Sequence, residues 1–421
     1  MHLTHLSLAN FRKYVRLELD LPPHMSLVYG ANSQGKTNLL ESIYFLATTR
    51  SPRASADREL INWLSVEDPI PFARVACDLQ RAERTLHLEV TMTLRTSENG
   101  SDNADSPSPG PSVAKRLRIN NLARRASELI GQMNVVLFSP QDVDLVAGAP
   151  AGRRRYIDVA ICQVDPRYLQ SLQQYVKVLA QRNHLLRLIR DKRASADQLL
   201  FWDEQLIAAG SYVLIQRYRC VNVLAATAAE RLRKLTGERE HLDVLYASSV
   251  ARQRGGQAVQ RWRASQENGR AEDALLRAAR ANDLEFVQGC FREELSAALS
   301  REIAQGASLV GPHRDDLQFL LDGHDATLFG SRGQQRAIAL AMKLAESAYM
   351  RDQTGEHPVL LLDDAFSELD ESRRLRALTC IDPNQQVLIT TTSMTEYQND
   401  LRAEASVFEV DDAQVRQHCR S

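Results

Sequence analysis

The chain has 421 residues, 44% hydrophobic and 25% charged, and its 52 basic side chains nearly balance 53 acidic ones for a net charge of −1. Such proportions suit a soluble globular protein of two or three domains with a substantial core, and exclude a chain that is disordered throughout. No run approaches the roughly 18 apolar residues of a spanning helix, and the even charge leaves only local clusters to argue for nucleic acid.

The six cysteines are scattered without a C-x-x-C pair, so a zinc site or disulfide framework is not expected and a reduced cytoplasmic setting fits. The start, Met1-His-Leu-Thr-His-Leu6, lacks the basic and apolar regions of a signal peptide.

In chain order, residues 2–9 and 15–21 alternate as short strands, and Met25–Gly30 reads as a buried strand feeding a helix over Thr37–Thr48 with Leu39, Leu40, Ile43, Tyr44 and Leu46 on its apolar side. Phe72–Asp78 and Thr85–Leu94 form a candidate strand pair. Thr96–Val113, rich in Ser, Asp, Asn, Gly and Pro, reads as a disordered loop, followed by strands at Arg116–Asn120 and Asn134–Ser139. Arg167–Arg193 and Ala196–Thr236 are long helical stretches. Leu172, Val176, Leu179, Asn183 and Leu186 mark a seam along the first, so the two should pair as an antiparallel arm. Val250–Glu272 is polar and reads as mobile, Ala271–Ala304 is helical, and a strand-and-turn pattern returns near Leu309. The expectation is an α/β protein with parts over 1–150, 151–305 and 306–421, the middle one a helical arm.

Two motifs carry the chemistry. Gly30-Ala31-Asn32-Ser33-Gln34-Gly35-Lys36-Thr37, then Asn38, fits G-x-x-x-x-G-K-[ST], in which backbone N–H groups cradle phosphates, the lysine reaches β- and γ-oxygens and the threonine hydroxyl meets Mg²⁺. Val359-Leu-Leu-Leu-Asp-Asp364 is an apolar strand ending in two carboxylates: Asp363 to hold Mg²⁺, Asp364 to orient or deprotonate an attacking water. More than 300 residues separate the motifs, so one ATP site has to be assembled from both ends of the chain. A third element, Gly330-Ser331-Arg-Gly-Gln334, opens an amphipathic helix; its serine is either an ordinary cap or an anion contact. His313-Arg-Asp-Asp316 has no second histidine at ligand spacing and reads as a turn.

Taken in order, the phosphate loop, the Ser-x-Gly-Gln signature, the apolar-Asp-acid strand and Ser367-Glu-Leu-Asp370 resemble the ABC/SMC-type ATPases. Within them the chain resembles the RecF family of bacterial recombination-repair proteins, through Leu8–Tyr14, Phe138–Asp142, Arg154–Asp158, Val310–Asp316 and Leu360–Asp370. This resemblance implies an ATPase head assembled from both chain ends with a central helical arm. It implies ATP and Mg²⁺, with Gln141 in the loop that contacts metal and water, and Ser331 completing the site of a second copy. ATP would then join two head-to-tail protomers on double-stranded or gapped DNA, and hydrolysis would release them. RecO and RecR are the implied partners in placing RecA on DNA, in the cytoplasm on the nucleoid. Val387-Leu-Ile-Thr-Thr-Thr392 ends in threonines where ABC transporters carry a histidine, which implies slow, switch-like hydrolysis. A transporter ATPase subunit and a non-hydrolysing DNA scaffold are the competing readings.

Between Ala151 and Arg193 stand ten basic residues against three acids. Arg153, Arg154, Arg155, Arg182 and Arg187 in this stripe are candidate phosphate contacts, although a solvated helix face would look the same. Arg50, Arg53 and Arg58 form a second candidate DNA cluster.

Overall fold

The computed structural model describes residues 1–67, 69–82, 84–95, 112–254, 274–367, 371–392 and 405–418. The expected loop 96–113 falls outside them except for residues 112 and 113, which open the strand Ser112–Ile119. The segment 255–272 and the residues Glu368, Leu369 and Asp370 also lie outside them.

Contacts divide the chain into two compact units, Met1–Pro140 with Met350–Ser421, and Gln141–Tyr349. The boundaries differ from the expected three parts. The whole stretch after residue 306 does not rejoin the first unit; it returns only at Met350, within the helix Arg332–Thr354.

The first unit has two six-stranded sheets. One is antiparallel, in the order Tyr14–Asp20, His2–Phe11, Phe72–Gln80, Thr85–Arg95, Ser112–Ile119, Leu122–Arg124. Its alternation is the one read from the sequence: Leu17 and Leu19 are buried while Arg16, Glu18 and Asp20 face solvent. The other is mostly parallel, in the order Gln414–His418, Ser406–Asp411, Met25–Tyr29, Val387–Thr391, Val359–Asp363, Val135–Phe138, with only the first joined antiparallel. Its central strands are unbroken apolar runs because both faces are covered. The helix α1 (Lys36–Thr48) supplies Leu39, Leu40, Ile43, Phe45 and Leu46 to a core that includes Leu6, Val75 and Leu88 of one sheet and Val135 and Leu361 of the other.

The second unit is built on the helices Pro166–Arg190, Leu199–Thr236 and Leu284–Gln305, with a short sheet of Leu242–Ala247, Asp316–Leu321 and His324–Asp325. The first two helices run antiparallel, as the contacts Asp165–Tyr212, Tyr168–Arg217 and Arg182–Asp203 require. The seam is rotated from the one expected. Leu186 of the expected seam is buried, but Val176 is 56% exposed, and Tyr168, Tyr175, Val178, Arg182 and Leu185 line the buried side. A third helix joins this pair, and a Cβ on Gly210 would meet Phe291 at 2.7 Å and Tyr175 at 2.9 Å, so only glycine permits the approach. The helical stretch 271–304 is two helices, Ala274–Ala281 and Leu284–Gln305, the second capped by Asp283. Among the described residues no helix is long and apolar enough to cross a membrane.

Candidate nucleotide site

Parallel pairing brings the two distant motifs together. In the central sheet Val28 pairs with Thr390 and Thr390 with Asp363, so the phosphate loop leaves its strand beside the end of the carboxylate strand. Gly35, with φ +117° at the start of α1, holds a conformation side chains resist, and its carbonyl accepts the Tyr14 hydroxyl at 3.1 Å. At Gly30 a Cβ would lie 2.2 Å from the Val410 carbonyl oxygen. Gln34 anchors the loop from outside: its Oε1 accepts Asp412 N–H at 2.7 Å and its carbonyl accepts Ala413 N–H at 3.0 Å.

The cleft that results measures ≈ 460 Å³. Asn32 through Asn38 line it along with Asp363, Asp364, Thr390 and Thr392. Asp363 is buried at the site, where its Oδ1 accepts Thr37 Oγ1–H at 3.0 Å and Thr390 Oγ1–H at 2.7 Å. Burial raises its pKa, and these two hydroxyls only partly oppose that. Lys36 Nζ donates to the Gly30 and Ala31 carbonyls at 2.6 and 2.8 Å. Burial lowers its pKa, with Asp363 and Asp364 acting the other way. Asp364 sits at φ +49°, its N–H donates to Thr390 Oγ1 at 3.0 Å, and its Oδ2 accepts Ser367 Oγ–H at 3.0 Å.

A hydroxyl and a buried carboxylate at one point, both hard oxygen donors, suit a Mg²⁺ ion that keeps several of its waters. The loop backbone and Lys36 suit a polyphosphate.

Two residues with no nucleotide role in the sequence reading belong to this cleft, and a threonine of the strand Val387–Thr391 links its acids. Lys13 lines it and donates to the Ser33 carbonyl. Arg53, expected in a DNA cluster, lines it too, and its charge acts on Asp363. Thr390 joins both acidic residues. Lys13 stands in the Leu8–Tyr14 stretch and Arg53 in no motif; the chain's path brings both to the phosphate loop.

Gln141 and Ser331 belong to the second unit. Gln141 is exposed in the turn Pro140–Val143, directly after Pro140, which lines the cleft. Ser331 is exposed at the start of the helix Arg332–Thr354; its Oγ accepts Gln334 N–H at 3.3 Å while its own N–H donates to Gln334 Oε1 at 2.9 Å. That is a reciprocal cap, so the bland local reading of the serine holds as far as this chain goes.

Two of the candidate DNA contacts are corrected. Arg182 is fully buried: Nε donates to Asp203 at 2.6 Å, Nη1 to Ser308 Oγ at 2.7 Å, and Nη2 lies 2.7 Å from Glu302 Oε2 outside hydrogen-bond geometry. Arg153 is 5% exposed and gripped by Asp316 at 2.6 and 2.9 Å. Neither reaches a polyanion, because each is spent on a carboxylate inside the unit. Arg154 is half-buried and donates to the Asp315 carbonyl at 2.8 Å, whereas Arg155 and Arg187 are exposed. The carboxylate of Asp158 pairs with Arg217.

His313 is structural in its contacts. Its Nδ1 meets Tyr175 OH at 2.6 Å, its Nε2 meets the Ser308 carbonyl at 3.1 Å, and burial, aided by nearby Arg314, Arg154 and Arg182, lowers its pKa to about 4. Among the described residues no cluster of metal-ligating side chains appears.

Comparison with known proteins agrees with this geometry. The family described as RecF/RecN/SMC N terminal domain matches residues 2–415. "DNA replication and repair protein RecF" of Chloroflexus aurantiacus is 42% identical, covering 99% of both chains, and that of Lacticaseibacillus casei is 38% identical, covering 98% of both. A solved structure described as "Structure of the recombination mediator protein RecF-ATP in RecFOR pathway" aligns at TM-score 0.77 and 26% identity, over 99% of this chain and 98% of that one. An SMC head domain from Pyrococcus furiosus aligns at TM-score 0.50 and 15% identity over 99% and 96%, a likeness of fold alone. An α/β head of the SMC type, both sequence motifs in one cleft, and relatives matched end to end agree: the chain belongs to the RecF family.

Proposed function

We propose that the protein binds ATP with Mg²⁺ and hydrolyses it slowly, and that the nucleotide controls head-to-tail pairing of two copies on DNA during repair. The observation that carries this is the meeting of Thr37 and Asp363, 326 residues apart, at the base of a cleft that Lys36, Lys13 and Arg53 make cationic. Mg²⁺ held by Thr37 and Asp363 would neutralise charge on the β- and γ-phosphates. Lys36 leaves the loop carbonyls to meet those oxygens, Asp364 orients the attacking water, and Thr390 keeps Asp363 aimed. Thr390 and Thr392 supply hydroxyls where an imidazole would speed turnover, which favours a timer over a motor.

Pairing of copies is supported by the approach to Ser331. Leu328 and Phe329, each 75% exposed, stand just before it, an apolar step with a polar cap at its edge. A second copy covering them would bring Ser331 to the γ-phosphate held by its partner. The exposed basic residues Arg155, Arg167, Lys177 and Arg187 support double-stranded or gapped DNA as the polyanion, and the relative named within the RecFOR pathway supports RecO and RecR as partners.

Light scattering with and without ATP and gapped DNA tests the central claim. ATP should double the mass, and Ser331→Arg should leave a folded monomer that still binds ATP. Dimers of that variant at ordinary ATP concentration refute the cross-subunit role.

A further inference from the structure

The second unit contains a cleft of ≈ 760 Å³ that the nucleotide chemistry does not use. It is lined by the start of the helix Pro150–Cys162 with Arg154, the helix Leu284–Gln305 with Arg301, the turn Leu309–Arg314, and Ser249. Two carboxylates also line it. One, Asp316, is already neutralised by Arg153 in a two-point contact, and the other, Glu294, is buried.

The guanidinium groups are presented differently from those of an ordinary solvated face. Arg314 is fixed by Nε and Nη2, both donating to the Ser308 carbonyl at 3.0 and 2.9 Å, with Nη1 left over. Arg154 uses one nitrogen on the Asp315 carbonyl. Neutral acceptors hold both in place, so their charge is positioned but not cancelled. Arg301 is exposed and has no hydrogen-bond or ion-pair partner among the described residues. The N-terminal end of the 13-residue helix Pro150–Cys162 adds its partial positive charge to the same cleft. Arg187 and Arg190 pack against Gly306, three residues before Leu309, so the basic surface runs on past the cleft. A single small anion would leave that extension unused; a polymer with regularly spaced phosphates would not.

We propose that this cleft seats backbone phosphates of a DNA duplex, with Arg154, Arg301 and Arg314 as the groups that hold them. The proposal rests on the DNA-binding reading above and locates it. Arg301 and Arg314 lie more than 100 residues beyond the basic stripe that the sequence marks, so the DNA contacts are built from both sides of the arm.

Fluorescence anisotropy of a labelled duplex, titrated across a range of KCl, tests this on the full chain. Arg301→Ala breaks no bond among the described residues. It should weaken duplex binding about 10-fold at low salt and lower the log–log salt slope by about one, with ATP affinity and melting temperature unchanged. Arg301→Glu should weaken binding further, and adding Arg314→Ala should lower the slope again. If duplex binding is salt-dependent in the wild type yet equal in Arg301→Ala and Arg301→Glu, the cleft proposal fails and the DNA-binding reading stands. If the wild type binds no duplex, the DNA-binding reading fails and takes the cleft with it. If Arg301→Ala loses poly-glutamate binding but keeps the duplex, the cleft takes acidic protein and the proposal is overturned.

Discussion

Both units gather opposite charges, but they treat them in opposite ways. In the nucleotide cleft, Asp363 is capped by two neutral hydroxyls and the Lys36 ammonium by two carbonyls, so acid and base sit close without closing on each other. In the helical unit, Arg182 closes on Asp203 and Glu302, and Arg217 on Asp158, with Glu302 wholly buried. Charges held apart by neutral groups stay available to a ligand; charges brought into contact in the interior hold structure and are costly to separate. Residue type alone does not distinguish the two uses.

Four substitutions put this contrast to the test. The largest effect is expected from Asp364→Asn. Hydrolysis should fall by about 10²–10⁴-fold in a steady-state phosphate-release assay, while ATP binding and ATP-dependent pairing persist. Unchanged turnover would reassign the water-orienting role. Arg182→Ala should cost about 3–5 kcal/mol in urea unfolding, because it strands Glu302 in the interior. A loss no larger than that of a surface arginine would mean the network is not closed.

Next comes a pH effect. His313 is held at a pKa near 4, below the ordinary 6.5, so between those values the unfolded chain binds the extra proton. Its contribution to stability is full above pH 6.5 and is lost as pH falls toward 4. Between pH 7 and pH 5 this amounts to about 2 kcal/mol, a part of the acid sensitivity that His313→Gln should remove. Identical slopes in wild type and variant would contradict the burial argument. The smallest effect is expected at the surface: Arg187→Ala should lower the DNA salt slope by about one and leave unfolding within about 0.5 kcal/mol of wild type.

Much of the nucleotide site was legible because its chemistry is local in sequence. A glycine-spaced loop between a buried strand and a helix, and an apolar run ending in acids, each dictate their own backbone. The helical unit was harder to read. Periodicity gave two long helices but put the seam one residue off, with Val176 inside and Arg182 outside, because an arginine counts as surface until a carboxylate on another helix is known to meet it. Arg53 reads with Arg50 and Arg58 as a DNA cluster, whereas in space it lines the cleft with the phosphate-loop residues.

Spacing along the chain was enough to mark most of the backbone segments, and to require that a phosphate loop and a pair of acids share one site. Which cations stay available and which are bound came from the folded chain, because that depends on partners such as Glu302, 120 residues from Arg182, that no local pattern announces.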